Sequence, residues 1–345
     1  MSEDRRIGAA IDVGSNSVHL LVVAIEGSQR RVLRDESELL GLGAVVDMEG
    51  RIPDDTAAAA VELVRGYVQV AREEGADWVV LLATEPLRRA SNRTHVCDLV
   101  QQATGLRLHV LSHEEEAGLT VLGVLDGEPP SEPTLVLDIG GGSSELVLLE
   151  PGADPVIGVM PVGSARLTAS FVEDDPPTAE EIQALRSEAH HLLSGMPVGH
   201  PTRGIVVGGS GTNLVRLTAD EGADASDEPD ESDESEEPDE PDEEAGADED
   251  WLIDKIRIGR AIRLVMHHPS AELVETYGLR ERRIVQMAAG ASLIEATLDC
   301  YDLPHVEASD ASLREGAILA WQRAGDAWRG RLDELISGAP APAGA

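Results

Sequence analysis

The sequence predicts an α/β protein of two similar layered units facing each other. Three observations predict it. Apolar strand-like runs alternate with amphipathic helical runs over the first third of the chain, one glycine-containing hairpin pattern occurs twice, and 345 residues with 42% hydrophobic content suffice for two ordinary cores.

The elements follow in order. Residues 7–11 are small and apolar, 12–17 are turn-like and 18–25 form a continuous apolar run, which reads as strand, tight turn, strand. A third strand is expected over 31–39. Between residues 54 and 74, Ala57, Val61, Val64, Val68 and Ala71 recur at helical spacing, with Asp54 and Asp55 placed to cap the start. A strand at 78–83, a helix at 87–103, a strand at 106–111 and a helix at 114–124 complete the alternation.

The opening pattern then returns. IDVGSNSVHLLVV, with Asp12, Gly14 and Ser17, is matched 126 residues later by LDIGGGSSELVLL, with Asp138, Gly140 and Ser143. A further strand and glycine turn cover 205–212 and lead into a short helical run to residue 217; helices are expected at 251–266, 270–276, 281–298 and 311–336, with a short strand near Val306. This gives a first domain at 1–124 and a second at 125–310, the helix at 311–336 being free to pack back on the first.

Charge narrows the function. The formal net charge is -38, and 19 of the 32 residues at 219–250 are acidic, with no Lys or Arg and no apolar residue larger than Ala. Removing that block leaves -19, and Lys255 is the only lysine among 27 basic residues. Non-specific binding to nucleic acid or an anionic membrane is disfavoured, so any anion must be held locally by backbone amides, a few arginines or a metal. The acidic block and the tail at 337–345 lack the apolar mass to offset ordering entropy and are expected to be disordered. There is no run of eighteen apolar residues and no apolar block ahead of a cleavage site near the N-terminus, so neither a membrane protein nor a secreted precursor is expected. Cys97 and Cys300 supply neither a disulfide framework nor a zinc quartet; they are expected as buried thiols in a reducing cytoplasm.

The paired turns carry the chemistry. A turn of Gly and Ser can direct successive N–H groups at phosphate oxygens because no Cβ obstructs approach, and Ser17 and Ser143 add hydroxyls. Asp12 and Asp138 end the first strand of each hairpin, where they could hold a hydrated Mg2+ that bridges phosphates. One such turn alone would be read as readily as a β-turn with a locally favoured Asp; two matched copies shift the balance to a ligand site. Glu145 falls on an otherwise apolar strand, where an unpaired charge is costly, so a metal-water or hydrogen-bonded role is expected. His19, on the equivalent strand, is as readily a histidine satisfied by a backbone carbonyl as a ligand. The pairs His190-His191 and His267-His268 are adjacent on helices, diverge by about 100° and make no chelating face.

Seven segments in order carry a resemblance: AIDVGSNSVHLLV (10–22), ATEPLRRASNR (83–93), SHEEEAGLTVLGV (112–124), LDIGGGSSELVL (137–148), PVGSARLTASF (161–171), VVGGSGTNLVRL (206–217) and SLREGAI (312–318). With them the chain resembles the exopolyphosphatase/guanosine pentaphosphate phosphohydrolase (Ppx/GppA) family, within the actin, sugar kinase and chaperone ATPase superfamily. The resemblance implies two actin-like, ribonuclease H-like domains with an interdomain cleft, and Mg2+-dependent release of terminal phosphate from inorganic polyphosphate, with Mn2+ as the other metal. It implies that Arg88 binds substrate phosphate and that Glu116 is the catalytic base or water-positioner. Asp138, Glu145 and Asp12 would hold metal; Gly14, Ser15, Asn16, Ser17, Gly140, Gly141, Gly142, Ser143 and Gly209 would line the phosphate site. Glu114 and Glu115 are read instead as an acidic first helical turn. Three other readings stand beside polyphosphate: guanosine pentaphosphate hydrolysis, an ATP-dependent kinase or ATPase, and a non-catalytic alarmone-binding member. No nucleic-acid or membrane partner is expected, and a homodimer is left open.

Two departures matter. Similar proteins often read SGEEEAR where this chain has SHEEEAG, so His113 replaces a glycine and Gly118 an arginine, which is expected to alter the loop before the helix and remove a phosphate contact. The scarcity of lysine favours short polyphosphate chains or a small phosphorylated nucleotide.

Overall fold

A computed structural model of the chain describes residues 5–27, 29–219 and 251–337. Beyond Ala219, the expected disordered block lies outside the described residues, as does the tail beyond Ser337.

Each half of the protein is built on a hairpin whose strands are apolar on both sides, so both faces of its sheet must be covered. In the first half, β1 (Arg6–Val13) and β2 (Ser17–Glu26) pair antiparallel, with Asp12 opposite His19. β3 (Gln29–Leu39) adds antiparallel to β2, while β4 (Trp78–Ala83) and β5 (Leu108–Val110) add in parallel beyond β1, giving the order β3-β2-β1-β4-β5. The second half repeats this arrangement. β6 (Thr134–Ile139) and β7 (Ser144–Leu149) form its hairpin with Asp138 opposite Glu145, and β8 (Val156–Met160), β9 (Arg203–Val207) and β11 (His305–Ser309) take the places of β3, β4 and β5. A short strand, β10 (Leu252–Asp254), extends that edge antiparallel to β11. The repeat in sequence is therefore a repeat in topology and in register.

Helices fill the layers. α1 (Leu42–Glu49), α2 (Asp54–Glu73), α3 (Glu85–Arg89) and α4 (Arg93–Thr104) cover the outer face of the first sheet, where Ala9, Ile11, Val64 and Val68 share a core. α6 (Ser164–Phe171), α7 (Ala179–Leu193), α8 (Gly209–Thr218), α9 (Lys255–His267), α10 (Ser270–Tyr277), α11 (Glu281–Val285) and α12 (Met287–Tyr301) accompany the second sheet. α5 (His113–Val124) and α13 (Leu313–Ala324) lie between the sheets, in a core that joins Ala10 and Val80 of one to Val136 and Val147 of the other. They cross at two glycines. A Cβ at Gly123 would stand 2.9 Å from the backbone nitrogen of Gly316, and one at Gly316 would stand 3.0 Å from that of Gly123.

Several elements differ from the sequence expectation for tertiary reasons. The helix expected at 87–103 is two helices, because the Asn92 side chain leaves the helical path to bond both the N–H and the C=O of Ile52. The helix expected at 281–298 breaks at Gln286, whose side chain accepts hydrogen bonds from Asn16 and Ser164. Residues 252–254 pair with β11 before α9 starts, and the stretch at 311–336 is α13, a 3-10 segment Gly325–Arg331 that begins at a positive φ of 54°, and α14 (Leu332–Ser337). Pro53 occupies the cap position of α2, with Asp54 and Asp55 in its first turn, where they favour the helix dipole. Cys97 is half-buried and Cys300 exposed, so the expectation of two buried thiols fails: the last turn of α12 presents Cys300 to solvent. Among the described residues no helix is long and apolar enough to cross a membrane.

Replacing Gly316 by Ala should lower stability by about 1–3 kcal/mol, the usual cost of forcing an extra carbon into a filled interior. A urea midpoint equal to that of the wild type would show that α5 and α13 can separate freely.

Candidate active site

Both hairpin turns close in the same way. The Gly14 N–H donates to the Ser17 carbonyl at 3.1 Å and the Gly140 N–H to the Ser143 carbonyl at 3.1 Å. The turns also touch each other. A Cβ at Gly141 would lie 2.6 Å from Asn16 Nδ2, and one at Gly142 would lie 2.6 Å from Glu85 Oε2 and 2.7 Å from Ser15 Oγ, so glycine there lets the first hairpin press against bare backbone. Together they border a cleft of about 500 Å3, whose wall includes Asp12, Gly14 to Ser17, Glu116, Asp138, Gly140 to Ser143 and Gly209. Asp12 and Asp138 thus face one crevice. Gly209 is in the first turn of α8 rather than in a loop, and Gly208 before it takes a φ of 94°, where a Cβ would strike the Ile139 carbonyl at 2.8 Å.

Arg88 and Glu145 stand behind this wall and are joined to it by side chains. α3 brings Arg88 Nη1 to Glu116 Oε2 at 2.6 Å and to the Leu111 carbonyl at 3.0 Å. Its Nη2 lies 3.4 Å from Ser143 Oγ, so one guanidinium spans from the first half to the second hairpin. Glu116 reaches this position because α5 starts on a capping box: the Ser112 hydroxyl accepts from the Glu115 N–H, the Glu115 side chain accepts from the Ser112 N–H, and Glu115 also pairs with Arg329. Glu115 is thereby spent on structure, Glu114 is exposed, and Glu116 turns inward.

The electrostatics are unusual. Asp12, Glu116 and Glu145 are buried, and Asp138 sits half-buried beside them. Burial raises Asp12 to about 7 and Glu145 to about 8, Asp138 adding its repulsion to both. Glu116 is pushed well above the carboxylate range by burial and by Glu145, against the pull of Arg88. Burial raises Asp138 too, although Thr120 donates a hydrogen bond to its Oδ2 at 2.9 Å. Glu85 shows the contrast: burial pushes it up, yet Arg166 and Arg89 hold it below its ordinary value. The Asp12 Oδ1 atom is buried without a hydrogen-bond partner.

Such a concentration of desolvated carboxyl groups suits a divalent cation, which favours their ionised form. His113, Glu116 and Glu145 present ligand atoms within 4.8 Å of one another, so of the residues expected to hold metal only Glu145 belongs to this tight group, while Asp12 and Asp138 lie on the cleft wall beside it. His19 bonds Ser17 Oγ at 2.7 Å, and burial with Arg314, Arg283 and Arg280 nearby lowers it to about 3, leaving it neutral.

Residues 21–324 match the Ppx/GppA phosphatase family. The chain belongs to that family. Exopolyphosphatase 1 of Mycobacterium leprae is 30% identical over 324 residues, which are 91% of this chain and 88% of that protein. The Aquifex aeolicus family member superposes with a TM-score of 0.75 at 24% identity, over 93% of this chain and 99% of that one. An exopolyphosphatase from Cytophaga hutchinsonii gives 0.76 at 21%, over 92% and 98%. The two-domain actin-like fold follows from these likenesses and from the duplicated sheets.

In this family member the two departures from the SGEEEAR pattern have different surroundings. His113 faces the site: its Nδ1 lies 2.7 Å from Glu145 Oε1 and 3.1 Å from Arg88 Nη2. Position 118 faces away towards α14, since a Cβ there would stand 2.7 Å from Ile336 Cδ1 and 3.1 Å from Leu332 Cδ2. The glycine makes room for the C-terminal helix, and an arginine there would not point at the phosphate site.

Sequence reasoning missed the cleft arginines. Arg216, Arg280, Arg283 and Arg314 line the cleft, so the scarcity of lysine does not leave it without cations. Arg283 lies over Gly209, where a Cβ would be 2.7 Å from its Cζ; burial and its neighbours Arg280 and Arg282 lower its pKa. The signals were present as Arg314 in SLREGAI and as the arginine run at 280–283, but nothing local says that they meet. Arg166 was also missed. From α6 it reaches Asp47 at 3.0 Å and Glu85 at 2.7 Å, tying the second half to the first.

The raised carboxyls set a pH dependence. Their folded pKa values exceed the unfolded ones of about 4, so the stability they contribute is full below pH ~4 and is lost as pH rises through about 7 to 8. The metal-free protein should therefore melt at a lower temperature at pH 8 than at pH 5, and Glu145→Gln should shrink that difference. An equal difference in both proteins, read by differential scanning calorimetry, would contradict the desolvation of Glu145.

Proposed function

We propose that this protein is an exopolyphosphatase that hydrolyses the terminal phosphoanhydride bond of inorganic polyphosphate, with Mg2+ or Mn2+, in the cleft between its two halves. The observation that carries the reading is the meeting of Glu116, Arg88 and both glycine turns at a cleft that arginines also line. The name of the Mycobacterium leprae relative agrees with it.

The terminal phosphoryl group rests between the turns. Backbone N–H groups of the two turns other than those of Gly14 and Gly140, which the Ser17 and Ser143 carbonyls take, donate to its oxygens, as do the Ser17 and Ser143 hydroxyls, and the N-terminus of α8 at Gly209 adds its dipole. Arg88 neutralises charge on the transferred group; its planar fork suits two oxygens of one phosphoryl group. Glu116 holds the attacking water in line and accepts its proton, a task suited to a carboxyl whose pKa lies above the usual range. The water oxygen bonds to the terminal phosphorus, the bridging P–O bond breaks, and the shortened chain leaves with the electron pair. Glu145, Asp138 and Asp12 would hold a divalent cation, which would supply charge neutralisation to the phosphate oxygens. Arg216, Arg280, Arg283 and Arg314 hold the rest of the chain. Closure of a first domain, residues 1–124 with α13 and α14, on a second at 125–310 excludes water around these groups. Both cysteines are free, which fits a reducing compartment, and we place the protein in the cytoplasm.

One observation favours a second reading. Arginine stacks on purine rings, so the cleft arginines would also suit the base of guanosine pentaphosphate. Phosphate release from polyphosphate and from that nucleotide, measured on one preparation, separates the two.

Glu116→Gln should lower kcat at least ~10²-fold with substrate binding largely kept, as expected when a water-positioning group is lost. Retained turnover would remove Glu116 from the mechanism. Arg283→Ala should raise KM for polyphosphate several-fold while changing kcat little, with a shallower salt dependence; unchanged steady-state constants would mean that the chain takes another route.

A further inference from the structure

We propose that His113 supplies an imidazole nitrogen to the metal held by Glu145, with Glu116 beside it, making this a mixed nitrogen and oxygen site that takes a first-row transition ion such as Zn2+ or Co2+ in preference to Mg2+. The inference deepens the reading above, from which it takes the presence of a metal in the cleft.

Two features of the structure carry it. The first is placement: His113 opens α5, three residues before Glu116 and so on the same side of the helix, and its Nδ1 falls with Glu116 and Glu145 in a group whose ligand atoms lie within 4.8 Å of one another. The second is an unresolved conflict at Nδ1. That nitrogen lies 3.1 Å from Arg88 Nη2, which can only donate, and 2.7 Å from Glu145 Oε1. A neutral imidazole nitrogen either carries a hydrogen or offers a lone pair. With a hydrogen it opposes Arg88; with a lone pair it opposes an ionised Glu145, and beside a protonated Glu145 it has one lone pair for two donors. A cation that took both Nδ1 and Oε1 as ligands would use both lone pairs at once, and Arg88 would keep Glu116, the Leu111 carbonyl and Ser143.

The chemistry then selects the ion. Mg2+ is a hard cation that prefers oxygen ligands and retains its waters, whereas imidazole suits Zn2+, Co2+ and their neighbours. One nitrogen among carboxylates therefore leaves Mg2+ binding almost untouched and strengthens transition-ion binding selectively.

The test uses the full chain, stripped of metal, as wild type, His113→Gln and His113→Gly. Co2+ is titrated by its visible absorption and Zn2+ and Mg2+ by calorimetry. Both variants should bind Co2+ and Zn2+ at least ~10-fold more weakly than the wild type, with an altered Co2+ spectrum, while Mg2+ affinity changes less than about twofold. Wild-type Co2+ affinity and spectrum in both variants would overturn the proposal, as would an equal loss for all three ions. Polyphosphate hydrolysis by the wild type with His113-independent Co2+ binding would sink the inference and leave the function standing. His113-dependent binding without phosphate release would do the reverse.

Discussion

The site depends on a local excess of negative charge that the protein has taken out of water. Glu116, Glu145 and Asp12 are buried with Asp138 beside them, and Arg88 is shared between Glu116 and the second hairpin. Burying ionised carboxylates against one another is unfavourable, and the raised pKa values of all four express that. Such an arrangement persists when the fold around it is over-determined, and here the carboxylates are mounted on paired strands and a capped helix, with Arg88 on the short helix that follows β4.

That rigidity comes from duplication. The hairpins occupy equivalent places in two sheets with matching strand order, and each aims its turn at the other. Their separation is set by α5 and α13, which pass between the sheets and approach so closely that glycine is required at Gly123 and Gly316. Arg166 with Asp47 and Glu85, and Gln286 with Asn16 and Ser164, hold the halves together through side chains. The same close approach places Gly141 and Gly142 against Asn16 and Ser15, so these glycines serve contact between the halves as well as access to the turns.

Charge works on two scales. The chain as a whole is strongly acidic, which opposes unspecific binding of polyanions, while Arg216, Arg280, Arg283 and Arg314 line the cleft. The net charge opposes a polyanion in general, and the cleft arginines favour one locally. Net charge therefore says little about a site of this kind, because the few cations that matter come from α8, the α10–α11 connection, α11 and α13.

The sequence by itself determined the two hairpins, their equivalence and the alternating α/β layers, because each is written in local periodicity: apolar runs on either side of a Gly and Ser turn, and helical spacing such as that from Ala57 to Ala71. It also marked Asp12, Asp138 and Glu145 as candidates by residue type within those patterns, and Glu116 through the family resemblance. Only the tertiary structure decided which of them meet. That Arg88 bridges Glu116 and Ser143, that His113 joins Glu145, that Gly118 gives way to α14 and that Asn92 and Gln286 interrupt helices are contacts between residues far apart in the chain. Spacing along a sequence records which face of its own element a side chain takes; what lies opposite that face is set by how the layers pack.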